Sequence, residues 1–242
     1  MNEILLAHNL GLGDHFICNG LVNYLCKFYD RIFLPVLHLP DHSNLESIRC
    51  LYSENSKVTI IELMEEISIW NDHDIYQKYN ENYCLPILDV EMFKHKPNNI
   101  SWYRYFYEQF GISYDVRYKY FSLPNLPESP VFYNTVVPPD TKYRLIHNKT
   151  SVRNFYPLKI EQDGLLSIYV DPELTQNLLN WTQIILNATE IHVIDSSIFC
   201  FVDSIKQLCR GDLYYHDIRF SGATFDHQDL QSWKVICYDT KL

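Results

Sequence analysis

Two of the chain's seven glycines, Gly11 and Gly13, stand between the apolar run Ile4-Leu5-Leu6-Ala7 and a segment in which Phe16, Ile17, Leu21, Leu25 and Phe28 recur at helical spacing. An apolar run without polar alternation reads as a strand buried on both faces. The spacing that follows predicts a helix over residues 14–29. Glycines at such a junction allow a tight turn and bring the backbone close to a ligand. The amides of the helix N-terminus then favour an anion.

The same alternation continues. Residues 31–37 read as a second strand, 44–52 as a helix with Ser43 placed to cap it, and 57–63 as a third strand rich in β-branched residues. Strand-helix-strand-helix-strand within 63 residues implies right-handed crossovers and a parallel sheet. Further on, residues 71–74 read as loop, 84–88 as a further strand, and 102–110 as an aromatic-rich helix stopped by Gly111. Residues 112–141 contain Pro124, Pro127, Pro130, Pro138 and Pro139. That density argues against helix and places a link here, with a strand around 117–121. A second alternating set follows: strands at 143–147, 165–170, 190–194 and 213–216, helices at 174–187 and 196–208, and a closing helix at 226–233. The expected fold class is therefore α/β, with two Rossmann-like halves whose parallel sheets face across a cleft. The expected divisions are 1–120, a Pro-rich linker at 121–141, 142–225 and a closing segment at 226–242.

Composition narrows the function classes. Hydrophobic residues make up 47% of 242, enough for a proper core. The formal net charge is −10 and the pI about 5.4, which speaks against a nucleic-acid partner. The seven cysteines are odd in number and show no C-x-x-C pair, so they read as reduced thiols in a reducing, cytoplasmic compartment. No basic-then-apolar leader opens the chain, and no apolar run reaches the ~20 residues of a membrane span.

Three constellations carry chemistry. In Gly11-Leu12-Gly13-Asp14-His15, Asp14 and His15 project from the first helical turn: the carboxylate suits a general base and the histidine a donor to phosphate or hydroxyl. Equally, the glycines form an ordinary turn and Asp14 only complements the helix dipole. In Ile194-Asp195-Ser196-Ser197, a strand feeds a helix through hydroxyls that either face phosphate or ribose or simply cap the helix. In His147-Asn148-Lys149-Thr150-Ser151-Val152-Arg153, Lys149 and Arg153 either bind a pyrophosphate or decorate a solvated loop. The dinucleotide fingerprint is broken, because Phe16 replaces its third glycine and the second strand ends without an acid. The missing acid also counts against a methyltransferase. No P-loop, H-E-x-x-H or G-x-S-x-G motif occurs.

The run from Gly11 to Leu21 resembles the N-terminal loop of GT-B-type glycosyltransferases, the heptosyltransferase-like group in particular. The run Asn187-Ala188-Thr189-Glu190-Ile191-His192-Val193-Ile194-Asp195-Ser196-Ser197 resembles their donor-side segment, with Ser197 standing where the family usually has glycine. The resemblance implies transfer of a sugar from a nucleotide-sugar donor to the hydroxyl of a carbohydrate or glycoconjugate acceptor, without cofactor or bound metal. It implies acceptor binding by the first half, donor binding by the second, and Asp14 as catalytic base. Asp195, Ser196 and Ser197 match the donor-side turn. Gly11, Gly13, His147, Lys149 and Arg153 join the donor-binding set, and His15 the catalytic one, from position and charge. The alternatives are a non-catalytic nucleotide- or carbohydrate-binding protein on the same fold, or another Rossmann-like enzyme such as a sugar-nucleotide epimerase.

Overall fold

A computed structural model describes residues 2–8, 11–37, 44–63, 85–89, 100–149, 154–161, 163–218 and 230–238. The chain divides into two compact units, Met1–Asn125 and Leu126–Leu242.

The first unit contains β1 (Glu3–Ala7), α1 (Leu12–Leu25), β2 (Arg31–Leu37), α2 (Asn44–Leu51), β3 (Val58–Leu63), β4 (Ile87–Asp89), α3 (Trp102–Glu108) and α4 (Val116–Lys119). Its strands lie in the order β3-β2-β1-β4, all parallel. The chain winds outward from β1 to β3 and then crosses to place β4 on the other side of β1. In open parallel sheets ligands bind beyond the carboxyl ends of the strands where the winding reverses, here between β1 and β4. Leu5, Ala7, Phe33, Ile61 and Leu63 form a core on one sheet face, with Leu85 and Ile87 packed against it.

The second unit contains α5 (Glu128–Val136), β5 (Tyr143–His147), β6 (Leu166–Tyr169), a 3₁₀ turn (Leu178–Trp181), α6 (Thr182–Asn187), β7 (Glu190–Val193), α7 (Ser197–Ile205), a second 3₁₀ turn (Lys206–Leu208), β8 (Asp212–Asp217) and β9 (Lys234–Cys237). The order is β6-β5-β7-β8-β9, again all parallel. Its winding reverses between β5 and β7. The α/β class with two parallel Rossmann-like halves is thus what the chain adopts.

Several local expectations are corrected. The proline-rich stretch holds two helices, α4 and α5, and the strand expected at 117–121 is α4. Pro127 is the N-cap of α5 and Pro130 lies in its first turn, where the missing N–H has no partner to lose. The helix expected over 174–187 begins only at Leu178, as a 3₁₀ turn. Side-chain oxygens explain the delay: Asp171 Oδ1 accepts from the Glu173 amide, Thr175 Oγ1 from Asn177 and Asn177 Oδ1 from Leu179. The closing helix at 226–233 lies mostly outside the described residues; 230–232 form a turn, and β9, which the sequence did not suggest, follows. Ser43 and residues 71–74 also lie outside the described residues. Of the cysteines, Cys18, Cys26, Cys50, Cys200, Cys209 and Cys237 are free thiols. Among the described residues no helix is long and apolar enough to cross a membrane.

Candidate functional site

In the first unit the helix begins at Leu12, two residues earlier than its spacing predicts, so Gly13 and Asp14 both lie inside the first turn. Gly11 is the N-cap, in extended conformation, and its carbonyl accepts from the amides of Asp14 and His15 at 3.1 and 3.2 Å. A Cβ on Gly11 would stand 2.8 Å from Asp14 Oδ2. The glycine is therefore what lets the carboxylate fold back over the helix N-terminus. Asp14 is half-buried there, at the carboxyl end of β1 and beside the point where the winding reverses.

His15 points the other way. It is wholly buried, its ring edge-on to His8 with centroids 4.3 Å apart, instead of projecting from the helix N-terminus. Neither of its ring nitrogens has a hydrogen-bond partner among the described residues. Burial, with His8 nearby, pushes its pKa well below the ordinary range. His15 is thus a neutral ring beneath the loop.

The helix that carries Asp14 is held from behind. The Tyr107 hydroxyl of α3 donates to the Ile17 carbonyl (2.6 Å) and accepts from the Leu21 amide (3.2 Å), so it sits within the helical ladder. Asn19 Oδ1 accepts from the Ser122 amide at 2.9 Å. Gly20 faces α4 so closely that a Cβ would meet the Arg117 carbonyl oxygen at 2.3 Å. These contacts fix α1, and through it the position of the carboxylate.

In the second unit two constellations that are far apart in sequence meet. His147 ends β5, and Ser196 follows β7, on the two sides of the reversal. His147 Nδ1 lies 3.0 Å from Ser196 Oγ. The Ser196 oxygen caps α7 by accepting from the Phe199 amide (3.3 Å), and its proton goes to the Ile194 carbonyl (3.0 Å). The direction of the His147–Ser196 hydrogen bond follows the tautomer of the imidazole. Burial, together with the Lys149 ammonium, lowers His147 to about 4, so the ring is neutral at neutral pH.

Ser197 opens α7 and is half-buried, Asp195 is buried just before it, and Lys149 is exposed beyond β5. Arg153 lies outside the described residues. The first turn of α7 thus stands at the winding reversal with a neutral histidine beside it, a geometry that suits an anionic group. No group of three or more potential metal ligands occurs among the described residues.

A second polar cluster was not read from the sequence. Arg144 pairs with the Asp163 carboxylate and lies 3.5 Å from Glu190. His192 Nε2 is 3.2 Å from Glu190, and its Nδ1 is 3.0 Å from His216 Nε2. His216 Nδ1 is 2.7 Å from the Tyr238 hydroxyl. The signal was present in the alternation of Glu190 with His192 and of Asp212, Tyr214 and His216, which puts every polar residue on one face.

No family model matches the chain, and no curated protein sequence matches it either. Among solved structures the chain is similar to a glycosyl transferase family 9 protein from Veillonella parvula, with a TM-score of 0.63, 8% of residues identical, and 98% of this chain and 86% of that one covered. At that identity the likeness is one of fold, and it extends over both units of this chain.

Proposed function

We propose that the chain is a glycosyltransferase that moves a sugar from a nucleotide-sugar donor to an acceptor hydroxyl. The observation that carries this reading is the convergence of His147, Ser196 and the α7 N-terminus at the β5–β7 reversal, within a fold shared with a glycosyl transferase. Donor binding falls to the second unit. Amides of the first turn of α7 and the Ser197 hydroxyl face the diphosphate, Ser196 holds the turn against His147 as its cap, Lys149 and Arg153 balance the charge, and Asp195 precedes the turn. Acceptor binding falls to the first unit, where Gly11 and Gly13 keep the backbone low around Asp14.

In the reaction Asp14 takes the proton of the acceptor hydroxyl. The acceptor oxygen forms a bond to the anomeric carbon, and the bond from that carbon to the diphosphate oxygen breaks. The electron pair leaves with the nucleotide diphosphate, whose charge is met by fixed dipoles and cations. His15 lies too deep to touch substrate and acts by shaping the floor under Asp14.

The test is release of nucleotide diphosphate from a panel of nucleotide sugars in the presence of sugar acceptors. Asp14→Asn is expected to bind donor as the parent does and to lose about 10²–10⁴ in turnover. Unchanged turnover in that variant removes Asp14 from the mechanism. Stabilisation by S-adenosylmethionine or NAD in place of any nucleotide diphosphate contradicts the reading as a whole.

A further inference from the structure

We propose that the face of the second sheet opposite its described helices carries a separate groove that binds a neutral sugar ring. The helices α5, α6 and α7 pack on the face that presents Tyr143 and Tyr215: the Tyr133 ring of α5 lies tilted against Tyr143, the Tyr143 hydroxyl donates to the Ile184 carbonyl of α6, and Phe199 of α7 packs on Tyr215. The other face presents Arg144 and Ile146 of β5 and Ser167 and Tyr169 of β6. There a cavity of about 310 Å³ runs along the two strands, at the lower end of the sizes usual for small-molecule sites, about 300–1,000 Å³.

The groove's outer wall is pinned in place. The Tyr156 amide donates to the Asn148 carbonyl at 2.9 Å, and Asn148 Nδ2 donates to the Tyr156 carbonyl at 3.1 Å. Farther along, the Lys159 amide donates to the Tyr238 hydroxyl at 2.8 Å.

Its chemistry selects against anions. Arg144 is 3% exposed, donates to the Glu161 carbonyl, pairs with Asp163 and lies against Glu190. Its charge is balanced from two sides, and the carboxylates of Glu161 and Asp163 repel a phosphate. Phe155 and Tyr169 line the same cavity yet are 61% and 53% exposed. Aromatic faces left open at a groove suit the apolar C–H face of a pyranose. The Asp163 carboxylate and the Ser167 and Tyr169 hydroxyls supply the acceptors and donors that ring hydroxyls need, whereas a cation would use only the acceptors. Asn148 and Arg144 stand on the face of β5 opposite His147, so this groove is distinct from the switch-point site. It stands whether or not the transferase reading does.

The experiment titrates the full chain, labelled for amide NMR, with the methyl glycosides of glucose, galactose, mannose and N-acetylglucosamine. At least one is expected to bind in the millimolar range and to shift the amides of Gly164, Ser167 and Tyr169, with a uridine diphosphate excess leaving those shifts in place. Phe155→Ala with Tyr169→Ala removes only exposed rings; with melting temperature unchanged, it is expected to weaken binding tenfold or more. Should that pair destabilise the fold, Phe155→Ala alone is expected to weaken it several-fold. Absence of binding by all four glycosides up to about 50 mM, well beyond the millimolar range expected, overturns the proposal. So does binding that survives loss of both rings, or shifts confined to His147 and Ser196.

Discussion

His147 and Ser196 illustrate how a small number of side chains sets the character of the second unit's site. The serine caps a helix and the histidine beside it is neutral, so the amides at the start of α7, and not an imidazolium, are what this position offers an anion. Neutral buried histidines also make the chain acid-sensitive. His147 is lowered to about 4 by burial and Lys149, and His216 to about 3 by burial and His192. Both start from an unfolded value near 6.5. Between those limits the unfolded chain binds more protons than the folded one, so stability rises with pH; above about 6.5 the contribution is flat. Each such group adds up to about 1.4 kcal/mol per pH unit inside its window. Thermal unfolding from pH 7 to 4 is therefore expected to show a falling melting temperature, with a shallower slope in His216→Gln. Equal slopes in the two proteins would mean that His216 is not buried neutral.

At the scale of elements, the close approach of α1 and α4 is the contact that fixes the Asp14-bearing helix. Gly20→Ala forces a methyl group against the Arg117 and Val116 backbone carbonyls, 2.3 and 2.7 Å from the ideal Cβ position. A loss of at least about 2 kcal/mol in denaturant unfolding is expected from such overpacking; a change within error would show that α4 moves aside freely. The strands β1, β2, β3 and β5 were legible because apolar runs between turn residues mark buried parallel strands. The residues of the candidate site were legible because they stand where strand meets helix. Less legible was whatever depends on context. Pro127 and Pro130 read as breakers because sequence alone does not show which turn of a helix a proline occupies. Leu174 fits an apolar stripe by spacing, yet it is 56% exposed, because Asp171, Thr175 and Asn177 capture the amides that would have begun the helix. His15 was expected to project with Asp14 from the first helical turn and is buried, since the helix starts at Leu12 and turns its side chain inward. The pairing of His147 with Ser196 is tertiary, and only the strand order brings it about.

At the scale of the whole molecule, two parallel sheets with different windings each place a helix N-terminus at their reversal. The first follows β3-β2-β1-β4 and ends its central strand beside a carboxylate; the second follows β6-β5-β7-β8-β9 and ends beside neutral hydrogen-bonding groups. The proposed transfer needs a base on one unit and an anion site on the other. It makes the second unit's preference for nucleotide diphosphates the central claim. The most direct measurement is calorimetric titration of the full chain with UDP, GDP, ADP and CMP, repeated on Ser197→Ala, which leaves the Ser196 cap in place. One nucleotide diphosphate is expected to bind, and the variant to bind it about tenfold or more weakly, since a single good hydrogen bond to a charged group contributes about 1.5–3 kcal/mol. Failure of every nucleotide to bind, or affinity unchanged by loss of the Ser197 hydroxyl, would contradict it.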